Sequence, residues 1–433
     1  MKRKTQSISK SNQLLGRSIG KKLENSHGYK AETLSSLMEE NDLVIFFGRE
    51  QHERNSQHIP TKSFYYYFLS NSDWGNINGK LNDIYVKEEA LRRNGFEEKK
   101  KLALEEIKCF HQRIWFDLSK QSNAIEGVFA DYNMTSIEFE KKLGEMIHIT
   151  SPNARVFDYN RYFNELRDIE DKIQSDGTNK VVKGRKREHH ISNELIRHYI
   201  AFKYAYKCAK MFAATMGLKK VEDVSWLLQK NPKLEETFKG LSKQEIFDKI
   251  TFNSRNILTL TNNFISLMTG RDYVGYREEQ AYVTLYGDRE FAGWTPVSEM
   301  RVESQMKSWA DWIVNENALH PIEKAAIAQA EFLRIHPYGD GNGRTSRILA
   351  NFILMVNDLP TIQVRGYEDP TVAISKEKPL TYFNALNTAI RDHDANQLVE
   401  LFKQGIEESI ECVEGTMDRI SEEVKSDDRT ING

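Results

Sequence analysis

The residues best suited to chemistry in this chain lie together, in His336-Pro-Tyr-Gly-Asp-Gly-Asn-Gly-Arg-Thr-Ser-Arg347. His336 titrates near neutrality and can take a proton from an attacking hydroxyl. Asp340 offers the hard oxygen that Mg²⁺ prefers and leaves other coordination positions to phosphates and water. Gly339, Gly341 and Gly343 let the backbone come close to an anion and permit positive φ. Arg344 and Arg347, spaced by one helical turn, share a face and can grip successive phosphates. Together these are the parts of a phosphoryl- or nucleotidyl-transfer site.

Two elements must position them. Upstream, Ile322, Ala326, Ala330 and Leu333 recur at helical spacing behind Pro321, which suits a first helical turn. Downstream, Ile348, Leu349, Phe352, Ile353 and Val356 belong to a segment apolar nearly all round, the pattern of a buried helix. The glycines therefore form a loop ending at a helix N-terminus, where unpaired N–H groups and partial positive charge bind phosphate. Other phosphate and metal motifs do not fit. A P-loop needs Gly-Lys-Ser/Thr, and this loop has no Lys; the dinucleotide fingerprint needs a different glycine spacing after a strand. A calcium loop would need a ligand where Arg344 stands.

The stretch resembles the signature of the Fic (filamentation-induced-by-cAMP) domain family, His-Pro-Phe-x-Asp/Glu-Gly-Asn-Gly-Arg-x-x-Arg, with Tyr338 in place of the usual Phe. The resemblance implies protein adenylyltransfer: AMP passes from ATP to a Ser, Thr or Tyr hydroxyl of a protein, and self-modification is open to such an enzyme. His336 would be the general base and Asp340 would hold Mg²⁺. Gly341, Asn342 and Gly343 would cradle the α-phosphate, with Arg344 on the β-phosphate and Arg347 on the γ-phosphate. Ser122-Asn-Ala-Ile-Glu-Gly127 resembles the inhibitory motif of the subclass with an N-terminal inhibitory helix, so Glu126 would pair with Arg347 and hold the enzyme off. Gly275-Tyr-Arg277 resembles the lead-in to the family's flap. Tyr282-Val-Thr-Leu-Tyr286 before Gly287-Asp288 fits a hairpin whose Val283, Thr284 and Leu285 would dock an extended target peptide. Tyr382-Phe-Asn-Ala-Leu386 resembles a segment shaping the adenine pocket, with Tyr382 as the contact, whereas Ile390 stands where relatives often place Asn. Other readings remain: transfer of another nucleotide or of phosphate, removal of AMP from protein, or a nucleotide-gated binding module without catalysis.

The remaining chain sets bounds. It has 433 residues, with 61 Lys and Arg against 63 Asp and Glu, so no general attraction to nucleic acid follows. Cys109, Cys208 and Cys412 are far apart, giving neither a disulfide framework nor metal spacing, and a reducing cytoplasm is expected. No apolar run reaches membrane-spanning length. The basic start lacks the apolar core of a secretory signal and reads as a leader.

The fold expected is mainly α: a Fic-type helical bundle with a short β-hairpin flap, preceded by a helical region and a small cap. Residues 1–95 hold the cap, with β-like runs at Leu43–Phe47 and Ser63–Leu69; the tyrosines of the second run suit a buried strand better than a binding surface. Residues 96–249 form a helical region. It carries the inhibitory helix at about 105–127, where Ile107, Phe110, Ile114 and Leu118 share a face, and a linker near 175–190. A helix over 133–173 buries Phe157, Tyr159, Tyr162 and Phe163. Further helices run through Ile196, Tyr199, Phe202, Tyr206 and Phe212, then around Trp226 and Ile246. Residues 250–405 form the Fic-like core, with Met306, Trp309 and Ile313 as a core stripe. Residues 406–433 form a charged tail, frayed from Ser426.

Overall fold

The computed structural model describes residues 193–215, 218, 220–230, 238–271, 273–283, 293–316, 319–357, 359–362 and 381–431, and upstream 45–46, 65–66, 74, 77–81, 83, 114–120, 122–123, 139, 164 and 167. The described part is mainly helical. Its strands are β1 (Ile45–Phe46) and β2 (Tyr65–Tyr66), antiparallel, with Ile45 opposite Tyr66 and Phe46 opposite Tyr65. They fall within the two β-like runs. The rest of the cap apart from 74, 77–81 and 83, the 133–173 helix apart from Phe139, Asn164 and Arg167, and the 175–190 linker lie outside the described residues.

The helices are α1 (Asn193–Thr215), α2 (Asp223–Lys230), α3 (Lys243–Ile250), α4 (Ser254–Thr269), α5 (Val302–Asn315), α6 (Pro321–Ile335), α7 (Asn342–Val356), α8 (Thr381–Asp392) and α9 (Asn396–Ile431). Local chemistry marks their ends. Ser242 and Glu245 close a capping box on α3. Asn253 caps α4, which stops at Gly270 in the left-handed conformation. Pro321 sits in the first turn of α6, where His320 Nδ1 accepts from Ile322 N–H at 3.3 Å and Glu323 reaches back to the His320 N–H at 2.9 Å.

Helices α6 and α7 pack on one another, α7 also on α1 and α4, and α5 on α4 and α6. The stripe Met306, Trp309 and Ile313 is buried as expected, and Trp309 donates from its indole to Ala328 O at 3.0 Å. Phe212 of α1 and Phe264 of α4 meet Phe352 of α7 edge-on, at 6.0 and 6.2 Å.

Helix α6 is buried all round, which its four-residue apolar repeat does not foretell: Glu323, Lys324, Gln329, Glu331 and Arg334 are buried too. Such groups need partners. Arg334 pairs with Glu331 at 2.9 Å and Gln305 at 2.7 Å. Trp74, stacked on His320 at 4.3 Å, donates to Glu323 at 3.3 Å. Lys324 Nζ donates to Glu316 O at 2.8 Å, and burial pulls its pKa down to about 8.

One boundary differs from expectation. The charged tail from 406 continues α9 to Ile431, through the stretch expected to fray from Ser426, and Leu398, Val399, Phe402, Ile406 and Ile410 carry one buried stripe across the boundary. Among the described residues no helix is long and apolar enough to cross a membrane.

Candidate active site

The first shoulder of the site is the C-terminal end of α6. His336 makes the last helical bond, N–H to Phe332 O at 2.8 Å, then turns left-handed at φ 51°, ψ 60°. A helix end leaves carbonyls without partners, and two coil segments, 273–283 and 293–298, supply them. Trp294 Nε1 donates to Leu333 O at 3.0 Å, and Val297 N–H to Arg334 O at 3.3 Å. Arg277 does the rest. Its Nη2 donates to Ile335 O at 3.3 Å and to Val297 O, its Nε to His336 O at 2.8 Å, and its backbone N–H to Pro337 O at 2.9 Å. The His336 backbone is held in an uncommon conformation by donors on both sides of it, so the imidazole starts from a fixed point.

The loop is shaped from inside. Asn342 Oδ1 accepts from Tyr338 N–H at 3.0 Å and its Nδ2 donates to Tyr338 O at 2.6 Å. Tyr338 is fully buried, lies 5.6 Å from the Tyr276 ring and donates to Asn262 Oδ1. Burial pushes the Tyr338 phenol well up and the Tyr276 phenol up to about 12, so both stay protonated. Of the three loop glycines, only Gly341 needs to be glycine for its backbone: φ is 78°, and a Cβ there would meet Ile265 Cδ1 at 2.8 Å. A Cβ on Gly339 would meet nothing within 4 Å.

The second shoulder is the N-terminus of α7. Its first internal bond is Thr345 N–H to Gly341 O at 2.9 Å, so the amides of Asn342, Gly343 and Arg344 have no partner within the helix. No side chain caps it. Asp340 stands beside it, with Oδ1 accepting from Gly341 N–H at 2.6 Å, 3.7 Å from Arg344 Nη2, and a side chain 77% exposed. Arg344 is buried, and its Nη1 has no hydrogen-bond partner among the described residues. Arg347, also buried, is covered: Nε donates to Ser122 Oγ at 2.8 Å and Nη2 to Ser122 O at 2.9 Å. Ser122 belongs to a helical segment, residues 114–120 and 122–123, lying far upstream in sequence.

The structure thus joins His336, Asp340, Gly341, Asn342, Gly343, Arg344 and Arg347, with Ser122 of the motif assigned to inhibition. Glu126, Thr284 and Leu285 lie outside the described residues. Val283 N–H donates to Trp294 O at 3.2 Å, a single rung at the base of the expected hairpin. Two assignments change. The Asn342 side chain staples the loop through both ends of its amide, so its share in an anion cradle comes through the backbone. Tyr382 is fully buried on α8, 5.5 Å from Phe383, with no ring face open to a base; Ile390 is also core. Tyr382, Ala385, Leu386, Ala389 and Ile390 are the buried apolar stripe of α8. Arg277, Asn262 and His198 were not singled out. Arg277 alone left a sequence signal, in Gly275-Tyr-Arg277.

A metal at Asp340 fits only in company. Among the described residues no group of three or more His, Cys, Asp or Glu could hold an ion. One exposed carboxylate beside an anion site matches Mg²⁺ held jointly by Asp340, phosphate oxygens and water.

Residues 252–354, which contain α4 to the end of the loop and most of α7, match the model of the Fic/DOC family. Among curated proteins the chain is similar to protein adenylyltransferase fic-1 of Caenorhabditis elegans, 46% identical over 70 residues, 16% of this chain and 14% of that protein. It is similar also to protein adenylyltransferase Fic of Drosophila willistoni, 29% identical over 175 residues, 40% of this chain and 30% of that protein. The match spans less than a third of the length of these relatives. A Fic domain containing signaling protein from Bacteroides thetaiotaomicron superposes loosely, with 18% identity and TM-score 0.41 over 80% of this chain and 97% of that one.

Proposed function

We propose that this chain is a protein adenylyltransferase that moves AMP from ATP to a protein hydroxyl. The observation that carries the reading is Arg344: a buried guanidinium with an unpartnered Nη1, at an uncapped helix N-terminus, one loop away from a rigidly held His336. A buried guanidinium nitrogen without a hydrogen-bond partner is costly, and a phosphate oxygen supplies what it lacks. The named similarity to adenylyltransferases over the matched segment supports the same chemistry.

The target hydroxyl gives its proton to His336 as its oxygen bonds to the α-phosphorus, and the bond to the pyrophosphate oxygen breaks. The Asn342, Gly343 and Arg344 amides face the charge that develops on the α-phosphate. Arg344 binds the β-phosphate and Arg347 the γ-phosphate. Mg²⁺, held at Asp340, would neutralise charge on the α- and β-phosphates. Glu126, four residues beyond Ser122, would add its carboxylate to the cover on Arg347. The flap, with Val283, Thr284 and Leu285, would align the target backbone, in a cytoplasmic setting.

A second reading has its own support. With Ser122 on Arg347 the γ-phosphate position is taken, and removal of AMP from protein needs no γ-phosphate. One experiment separates the two. Wild-type and Glu126→Gly protein are given ATP labelled at the α- or the γ-phosphate, and separately an AMP-modified substrate. Transfer predicts α-label on protein, none from γ-label, and a rise of about 5- to 150-fold in the variant, the range of a coupling of 1–3 kcal/mol. Loss of AMP removal in the variant without label gain would favour hydrolysis. Neither activity in either protein would sink both.

A further inference from the structure

Among the buried titratable groups that the proposed mechanism leaves unused, His198 lies nearest to its arginines. His198 of α1 is almost fully buried, its ring stacked on Phe202 at 6.4 Å. Its Nδ1 lies 3.0 Å from Ser119 Oγ, and Ser119 is itself fully buried on the upstream helical segment. Burial first, then the positive charges of Arg347 and Arg344, hold its pKa well below the usual range, so the ring is neutral.

Ser119 and Ser122 are three residues apart on one helical face. One meets α1 through His198; the other meets α7 through Arg347. Asn123 adds a tether, Nδ2 to Ser119 O at 2.8 Å and to Glu194 O at 3.3 Å. Apolar packing brings the segment here: Trp115 lies 5.0 Å from Tyr206 and 6.3 Å from Tyr199, and Phe116 lies 5.0 Å from Phe139. Such contacts tolerate sliding, whereas two directed hydrogen bonds a turn apart do not.

The residue type is suited to that place. A lysine at 198 would set a third cation beside Arg344 and Arg347. A carboxylate would pair with Arg347 and compete permanently with any phosphate. A leucine would strand the buried Ser119 hydroxyl. A neutral imidazole holds Ser119 and leaves the arginines to an anion.

We propose that His198 is a positioning residue for the segment that covers Arg347: through Ser119 it sets the register in which Ser122 lies on the guanidinium, and loss of that contact opens Arg347 to the terminal phosphate of a nucleoside triphosphate. This rests on the phosphate-binding reading of Arg347.

The test uses the full chain and four variants: Ser119→Ala, His198→Leu, the two combined, and His198→Asn, whose amide reaches the Nδ1 position. Amide hydrogen exchange over residues 114–123 reports the register without any ligand. ATP and ADP titrations report access to Arg347, because only ATP carries the third phosphate. Ser119→Ala and His198→Leu are each expected to speed exchange and to tighten ATP relative to ADP by about 2- to 10-fold, the range of one net hydrogen bond. The combined variant should go no further than either alone, and His198→Asn should stay near wild type. Unchanged exchange in Ser119→Ala, additive effects in the combined variant, or equal shifts for ATP and ADP would each overturn the proposal. If His198→Leu does not fold, Ser119→Ala still decides the matter. Faster exchange with no nucleotide binding in any variant, Glu126→Gly included, would refute the phosphate reading of Arg347 and uphold the positioning contact alone.

Discussion

The two shoulders of the loop are held in different ways. At the His336 end, Arg277, Trp294 and Val297 donate to successive backbone carbonyls from Leu333 to Pro337. The acceptors cannot leave without unravelling the end of a buried helix. At the Arg347 end, the guanidinium is met by Ser122, brought from a separate segment that stands mainly on α1. That contact involves two hydrogen bonds at the edge of an anion site, and an arriving phosphate offers the guanidinium a stronger, charged acceptor. One end of the site is thus built as scaffold and the other as an exchangeable cover, which separates the placing of a base from the regulation of nucleotide entry.

The largest way to break the scaffold end is chemical. His336→Asn removes the imidazole while keeping a residue that tolerates the left-handed backbone, which His336→Ala would strain. Transfer should fall by about 10²–10⁴-fold with ATP affinity largely kept, the size of a general-base contribution. Undiminished turnover in this variant would take His336 out of the mechanism.

The comparison sharpens when each shoulder loses its arginine contact. Arg277→Leu strands several buried carbonyls and should lower unfolding free energy by roughly 2–4 kcal/mol, read by denaturant midpoint. Ser122→Ala should lower it by only about 1 kcal/mol, since the Ser122 carbonyl remains on Arg347, and should raise ATP affinity. Equal destabilisation by the two substitutions would erase the distinction between scaffold and cover.

The smallest contrast lies within the loop. Gly341→Ala combines a positive φ with the close approach of Ile265, and should destabilise by about 1–2 kcal/mol. Gly339→Ala meets open space and should stay within about 0.5 kcal/mol. Thermal midpoints that move alike for both would contradict the geometry.

The sequence by itself determined the loop, its two flanking helices and the core stripe of α5. In each case the signal is local: glycine spacing, a first-turn proline, an apolar repeat of 3.6. The same local signal placed strands at 45–46 and 65–66. A resemblance to an inhibitory motif linked the Ser122–Gly127 stretch to Arg347, though through Glu126, whose place lies outside the described residues. Tertiary structure alone decided the rest. The role of Arg277 depends on which carbonyls a coil crossing the end of α6 can reach, and nothing near position 277 specifies them. His198 reads as an ordinary helical residue until α1, α7 and the 114–123 segment meet around it. Asn342 looks like a phosphate ligand in the motif, yet its amide is spent on Tyr338 because both lie on one tight turn. Tyr382 carries a motif resemblance to a pocket residue, yet it is fully buried on α8, a placement decided by the packing of α8 against α6 and α9. Pattern fixes what each element is; the meeting of distant elements fixes what its polar groups touch.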